Sequence, residues 1–548
     1  MSSVLDDKPA ARPAEPRGKH RRNLVRRSAA QRRAASAAGG TNPVGPITLS
    51  VMRAMIAAAD ALGSYTATGA VPAFASAQLQ GGGSELAEHV RKYQAATRQF
   101  IADWLRDVRQ NAWLVEGCSG RILDTVSAGA GADGPLEATQ VTVAANQQLH
   151  GLRRRNVRAG VGIPVATWTR RQGPDEAADL VRASAARPMT AVVSVVQNSD
   201  RRVRTVRVHL LDPVAVDSLE LAGIAMPLAG DFTAPVAQTL GLERKPAANA
   251  YGLRAAARRG TIEGFSALTP FAPERVPLIL LEGAGHSPLT MAQIANEVAG
   301  DAELRRRFQV WLYHYPMAAP LFHAARRFRD ELESFHMRLE ATAGRPLPGR
   351  GVVIAHGPGA VLAKTLLVDS GDVLWDACFS SPLAAMELAA ADRALLKALF
   401  FWQRTQRIER VIVAGEPRNA DALAAGVGAR AVQLFVRQSP ELRSAIERIH
   451  WRQQRHLRQP VRPAAGDPAA ASSEFPEPLF QSLSDLSVCA DRALLSLTAG
   501  GDGEAGDVRV FAPASGLAPL CTQRLQAGPD VLGPQSTALV LDWLRPRH

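Results

Sequence analysis

Cysteine is scarce. The 548 residues carry four, Cys118, Cys378, Cys489 and Cys521, with no C-x-x-C pair. That spacing excludes a disulfide framework and a thiolate zinc site, and it fits a reducing compartment. Aromatic residues make up only 5% of the chain, so any core is built mainly from Ala, Leu and Val. No run of about 18 apolar residues without charge is present, and no spanning helix is expected. The most apolar early stretch, Ile47 to Ala77, contains Arg53 and Asp60 and ends in Ala-Phe-Ala-Ser-Ala, faintly like a signal-peptidase site. It begins too far into the chain for a leader, so export is not expected. Also missing are G-x-x-x-x-G-K-[ST], G-x-G-x-x-G after a predicted strand, H-E-x-x-H and an EF-hand loop. ATP, NAD and zinc chemistry have no sequence support, and neither a cofactor nor a metal is expected.

What is present is enough to fold. Hydrophobic residues are 46% and charged residues 21%, which excludes a wholly disordered or collagen-like chain. The length argues several domains. The net charge is +13, and residues 1–40 alone contribute +7 from ten Lys/Arg and three acids. Residues 1–45 therefore read as a basic tail. Such a tail can contact nucleic acid or anionic lipid, although it has few apolar residues to fold on. The expected location is cytoplasmic, with peripheral membrane attachment as the alternative.

Residues 46–130 read as helical, with helices over 47–62 and 84–113. In the second, Ser84 stands at the cap, and Leu86, Val90, Tyr93, Phe100, Trp104 and Val108 share a stripe. A glycine-rich break, Ala128 to Gly134, follows. Residues 131–270 read as a β-rich unit. In it Thr190–Val196 and Val203–Leu210 flank a hairpin signal, and Ser218–Leu221 and Ile224–Leu228 surround Gly223. Arg153, Arg154, Arg155 and Arg158 form a basic cluster that reads as a solvated face. Residues 271–548 alternate strand and helix. Val276–Leu281, Phe308–His314, Val352–His356, Arg410–Ala414 and Leu494–Thr498 are the strand candidates. Helices are predicted over 320–343, Ala360–Val368 and Thr537–Leu544. This alternation argues an α/β doubly wound, mainly parallel sheet. A mostly helical insertion spans 371–407, and Asp369-Ser370-Gly371-Asp372 reads as a helix stop and turn rather than a metal or phosphate site.

The strand–turn–helix Val352-Val353-Ile354-Ala355-His356-Gly357-Pro358-Gly359-Ala360 resembles the nucleophile elbow of α/β-hydrolases, usually G-H-S-x-G-G. Other segments agree in order with bacterial lipase/esterase-like members. Val276 to Gly283 looks like the strand and oxyanion loop, and Phe308 to Pro316 like the next strand. Val411 to Arg418 stands where those members end a strand in T-P-H-R-G. Ser515-Gly516-Leu517-Ala518-Pro519 stands where they have D-G-V-V-P. The resemblance covers roughly residues 185–545. It implies an α/β-hydrolase-type domain with 371–407 as a cap.

The chemistry that the resemblance implies is depleted. Acyl transfer needs a nucleophile, a base and an acid that orients the base. The nucleophile position is Gly357 and the acid position is Ser515. No histidine lies between His456 and His548 to serve as the base. Glu282 stands in the oxyanion loop, where a carboxylate repels a developing oxyanion. Fallback candidates are Ser287 with His286 or His356. The expected pocket comprises Glu282, Gly283, His286, Ser287, His356, Gly357, Pro358 and Glu416. Three readings follow. One is an inactive hydrolase-like protein that binds a small apolar ligand or a protein partner. Another is an esterase or lipase with a rearranged site. The third is a basic-tailed scaffold for nucleic acid or anionic membrane.

Overall fold

The computed structural model describes residues 85–108, 140–168, 185–197, 204–221, 224–242, 264–283, 289–315, 321–415, 454–456, 492–497, 506–511, 521–525 and 534–545, with isolated positions 448, 482, 483, 486 and 488. The basic tail, the helix over 47–62 and the break at 128–134 lie outside these residues. The chain divides into two units, residues 1–70, 83–124 and 193–209 in one and residues 71–82, 125–192 and 210–548 in the other.

The first unit contains α1 (Glu85–Val108). Val90, Tyr93, Thr97, Phe100 and Ile101 are buried, and their spacing of three and four puts them on one stripe. Glu88 pairs with Lys92 one turn on, at 2.7 Å.

The second unit begins with β1 (Gln140–Val143), β2 (Val157–Arg158), β3 (Ile163–Trp168), β4 (Arg187–Gln197) and β5 (Arg204–Leu211). Within the second unit β1 pairs with β3 and β3 with the 187–191 part of β4, both antiparallel, while residues 193–209 belong to the first unit. A hairpin joins β6 (Ser218–Leu221) and β7 (Ile224–Pro227), and β8 (Gly230–Asp231) pairs with β2. Helix α2 (Thr233–Leu240) stops at Gly241, whose φ of 71° turns the chain out of the helix. The arginine cluster is not a solvated face throughout. Arg155 donates to the buried Asp231 at 2.7 Å and to the Ala144 carbonyl. Arg158 donates to the carbonyls of Leu228, Pro213 and Val216.

The rest of the second unit is α/β. Its elements are β9 (Gly264–Ala267), β10 (Val276–Gly283), α3 (Leu289–Gly300), α4 (Ala302–Arg307), β11 (Phe308–Tyr315), α5 (Leu321–Ala343), β12 (Gly351–His356) and α6 (Gly359–Lys364). They continue with α7 (Val373–Cys378), α8 (Ala390–Phe400), β13 (Ile408–Ala414), β14 (Ala493–Leu497), β15 (Gly506–Phe511), β16 (Cys521–Leu525) and α9 (Pro534–Leu544). The sheet order is β16-β15-β14-β13-β12-β10-β11-β9. The five central strands are parallel, while β9, β15 and β16 run against their neighbours. All five strands predicted from apolar runs fall on the parallel centre.

The reason is burial on both faces. Leu278 and Leu280 of β10, with Val352 and Ile354 of β12, pack with α2, α3 and α9. Ile279 and Leu281, with Val353 and Ala355, pack with α5 and α6 on the other side. Such strands lose the alternation of half-exposed ones and read as unbroken apolar runs. Helix α3 was not predicted because Met291 to Ile294, Ala295, Asn296, Val298 and Ala299 are all buried, which erases its polar face.

Helix α5 is held from two sides. Phe328, Leu332, Phe335 and Leu339 face the sheet. Arg407 binds Glu333 and Glu340, each at 2.9 Å. Between them lies His336, buried, with Nδ1 3.1 Å from the Leu332 carbonyl; that acceptor requires the proton to sit on Nδ1. Burial, reinforced by Arg407, holds the His336 pKa below the usual histidine value. The unfolded chain therefore binds more protons as the pH falls below about 6.5, and the stability that neutral His336 contributes above that pH is lost on acidification. We expect the stability gap between wild type and His336→Phe to narrow in the variant's favour from pH 8 to pH 5. Urea midpoints at each pH measure it.

The insertion between α6 and β13 closes on a clasp. Ser370 Oγ accepts from the Trp402 amide at 2.8 Å, and the Ser370 amide donates to the Trp402 carbonyl at 3.1 Å. Asp369 accepts from the Arg404 amide at 2.7 Å, and the Trp402 indole donates to the Thr365 carbonyl at 3.0 Å. The Asp-Ser-Gly turn is thus a structural closure. Ser370→Ala leaves a Trp402 amide without its side-chain acceptor, and we expect a loss of about 1–3 kcal/mol. Asp369→Ala removes a part-exposed pair and costs under about 1 kcal/mol by the same denaturation measurement.

Candidate functional site

The strand order sets where a ligand can enter. From β10 the chain crosses to β11 on one side, then returns past β10 to β12 on the other. In an open parallel sheet this reversal leaves a crevice beyond the carboxyl ends of the two strands. The β10 and β12 registers run together as far as Leu281 beside Ala355. Glu282 and Gly283 follow on one strand, His356 and Gly357 on the other. Across β10, Glu282 is in register with His314 and Gly283 with Tyr315 of β11.

The turn after β12 is built by its glycines. Gly357 has φ +58°, the left-handed region that L side chains avoid. Its amide donates to the Ala414 carbonyl of β13 at 2.9 Å, and its carbonyl accepts from the Ala360 amide at 3.0 Å. Pro358, at φ −59°, enters the helix where no amide donor is required. Gly359 serves a different purpose. A Cβ there would lie in ordinary contact, 3.4 Å from Leu281 Cγ and 3.5 Å from Tyr315 Oη, so the start of α6 rests directly against β10 and β11. At Gly357 a Cβ would meet nothing within 4 Å. The turn therefore has room for a projecting side chain at 357 and carries none.

The structure brings Glu282, Gly283, His356, Gly357 and Pro358 to adjacent strand ends. His356 is half-buried, beside Ala414 of β13. His286, Ser287, Glu416 and Ser515 lie outside the described residues. The strands on either side of Ser515 are described. Phe511, at the end of β15, stands beside Leu494 at the start of β14. Cys521, which opens β16, stands beside Val510. Both flanks of 512–520 are therefore at the amino end of the parallel strands, opposite Gly357. The segment leaving the carboxyl end of β14 is 498–505, and it carries Asp502 and Glu504.

The insertion has a core of its own. Trp375, Phe379, Met386 and Leu396 are buried together, with Trp375 and Phe379 stacked at 4.1 Å. A second cluster joins Leu374 of the insertion to Phe322 of α5 and Val361 of α6. Cys378 lies between the two clusters. Burial pushes its thiol up to about 12, which removes it as a nucleophile at neutral pH.

One serine–histidine contact was not anticipated. Ser381 Oγ lies 2.9 Å from His456 Nδ1, and the Ser380 amide donates to the His456 carbonyl at 2.8 Å. Arg455 Nε donates to His456 Nε2 at 3.0 Å. An arginine N–H only donates, so Nε2 is the acceptor and Nδ1 holds the proton. His456 therefore donates to Ser381 and cannot take its proton, and the contact joins segment 454–456 to the insertion. The two residues are 75 positions apart, and no motif marks them.

Among the described residues no group of His, Cys, Asp or Glu side chains could hold a metal. Among them, too, no helix is long and apolar enough to cross a membrane. No family model, curated protein or solved structure matches the chain.

Proposed function

We propose that the chain is a non-catalytic α/β-hydrolase-like protein that binds an apolar small molecule where the 371–407 insertion meets α5 and α6. The observation that carries this reading is Gly357. It occupies a left-handed strand-to-helix turn with open space above it, the place where an elbow nucleophile would project, and it has no side chain. A hydrolase of this type needs that nucleophile and a base beside it. The insertion keeps a packed aromatic core and a second apolar cluster at its base, as a cover over an apolar ligand requires. The strands that flank Ser515 meet the sheet at the end opposite Gly357.

A rearranged esterase is the competing reading. Ser381 with His456 lends it no support, because the proton sits on the wrong partner.

Purified protein should hydrolyse p-nitrophenyl butyrate and octanoate no faster than the uncatalysed background. Turnover abolished by Ser287→Ala would overturn the reading. Decanol titration should quench the fluorescence of Trp375 and Trp402 saturably, and a flat response would remove the ligand half of the proposal. Gly357→Ser should fold, since its Cβ meets no neighbour, at a cost of about 1–3 kcal/mol for the left-handed backbone. It should gain no esterase activity. Melting curves and the same ester assay test both points, and clear activity would reveal a base within reach of position 357.

A further inference from the structure

Arg155 meets Asp231, and Arg407 meets Glu333 and Glu340. The enclosed Arg305 and Arg329 meet no carboxylate in ion-pair range among the described residues; Arg305 donates through Nη1 to the carbonyls of Ala299 and Gly300, whereas Arg329 is less well answered. Its guanidinium lies 4.3 Å above the Trp402 ring and makes one long hydrogen bond, 3.4 Å from Nη2 to the Ala398 carbonyl. Its Nη1 is closed off from solvent without a partner. Burial lowers its proton affinity to about 10, with Asp330 acting in the opposite direction.

Its neighbours on α5 are also under-satisfied. Arg326, one turn earlier, has an enclosed Nε that lies 3.4 Å from Asp330 Oδ2 without hydrogen-bond geometry. His323, one turn before that, has an enclosed Nδ1 with no partner. Phe322 in the same turn packs with Val361, Phe400 and Trp402 at the base of the insertion.

A largely enclosed cation with no carboxylate in contact is costly, and an enclosed donor without an acceptor adds to the cost. A water molecule would meet the donor and leave the charge uncompensated. An oxyanion meets both, and the planar guanidinium fork suits its geometry.

We propose that Arg329, assisted by Arg326, forms a seat for an oxyanion, the carboxylate or phosphate end of a ligand, at the seam between α5 and the insertion. The proposal names the polar end of the ligand inferred above and rests on that reading, but its test does not use the apolar end.

The probe is inorganic phosphate, compared with sodium chloride at matched ionic strength, with melting temperature as the readout. Phosphate should raise the wild-type melting temperature saturably. Arg329→Met should melt at or above wild type in chloride, because it removes an uncompensated charge, and should lose the phosphate shift. Arg326→Gln, which alters a partly exposed side chain, should keep the shift but need about tenfold more phosphate for half-saturation. Acetate in place of phosphate separates a carboxylate seat from a phosphate seat. No phosphate-specific shift in the wild type, or an undiminished shift in both variants, overturns the proposal. Decanol binding with no phosphate shift would sink the seat alone. A phosphate shift with no decanol binding would sink the apolar half alone.

Discussion

Leu278, Leu280, Val352 and Ile354 face one side of the parallel sheet, and Ile279, Leu281, Val353 and Ala355 face the other; all eight are fully buried. The rest of the second unit depends on that double burial. A strand with no exposed face needs a helical layer on each side, and α3 and α9 supply one while α5 and α6 supply the other. Winding helices onto both faces requires the chain to reverse direction across the sheet, and the reversal falls between β10 and β12. The crevice beside Gly357 is a consequence of burying those eight side chains.

The same helical layer anchors the β-rich segment. Gln293 of α3 donates to the Gly151 carbonyl at 2.7 Å and accepts from the Arg153 amide. Asn296 donates to the Arg154 carbonyl at 2.9 Å, accepts from Thr233 through its side chain and from Asn156 through its carbonyl. Asp231, held by Arg155, accepts from the first two amides of α2. Gly300 is glycine because a Cβ would come within 2.4 Å of Asn156. Buried polar groups that are fully paired specify one arrangement of neighbours, since any other leaves them unmet. The path from residue 151 to 158 is thereby tied to the face of the sheet opposite the insertion.

The insertion is organised differently. Its aromatic core is separate from the two sheet layers, and it joins α5 and α6 through a smaller cluster. The Ser370–Trp402 clasp brings its two ends together. Arg329 lies where these two bodies of packing meet. The aromatic ring beneath it and the single carbonyl beside it compensate its charge only in part.

The parallel centre of the sheet was legible in the sequence because each of its strands is built around a short, mainly apolar run, a property of a few consecutive residues. The Gly357-Pro358-Gly359 turn was legible for the same reason, since the conformational freedom of glycine and the fixed φ of proline are local. The edge strands β15 and β16 were not predicted, and their direction puts the flanks of Ser515 at the opposite end of the sheet from Gly357. No local pattern encodes that direction, which is set by pairing with β14. The arginines show the same division. In sequence Arg155, Arg158 and Arg329 are surface charges like any other, and their partners or lack of them come from residues 11 to 76 positions away. The sequence by itself determined which segments are buried and where the chain must turn. The tertiary structure decided which strand ends meet and which charges are answered, because those depend on contacts between residues far apart in the chain.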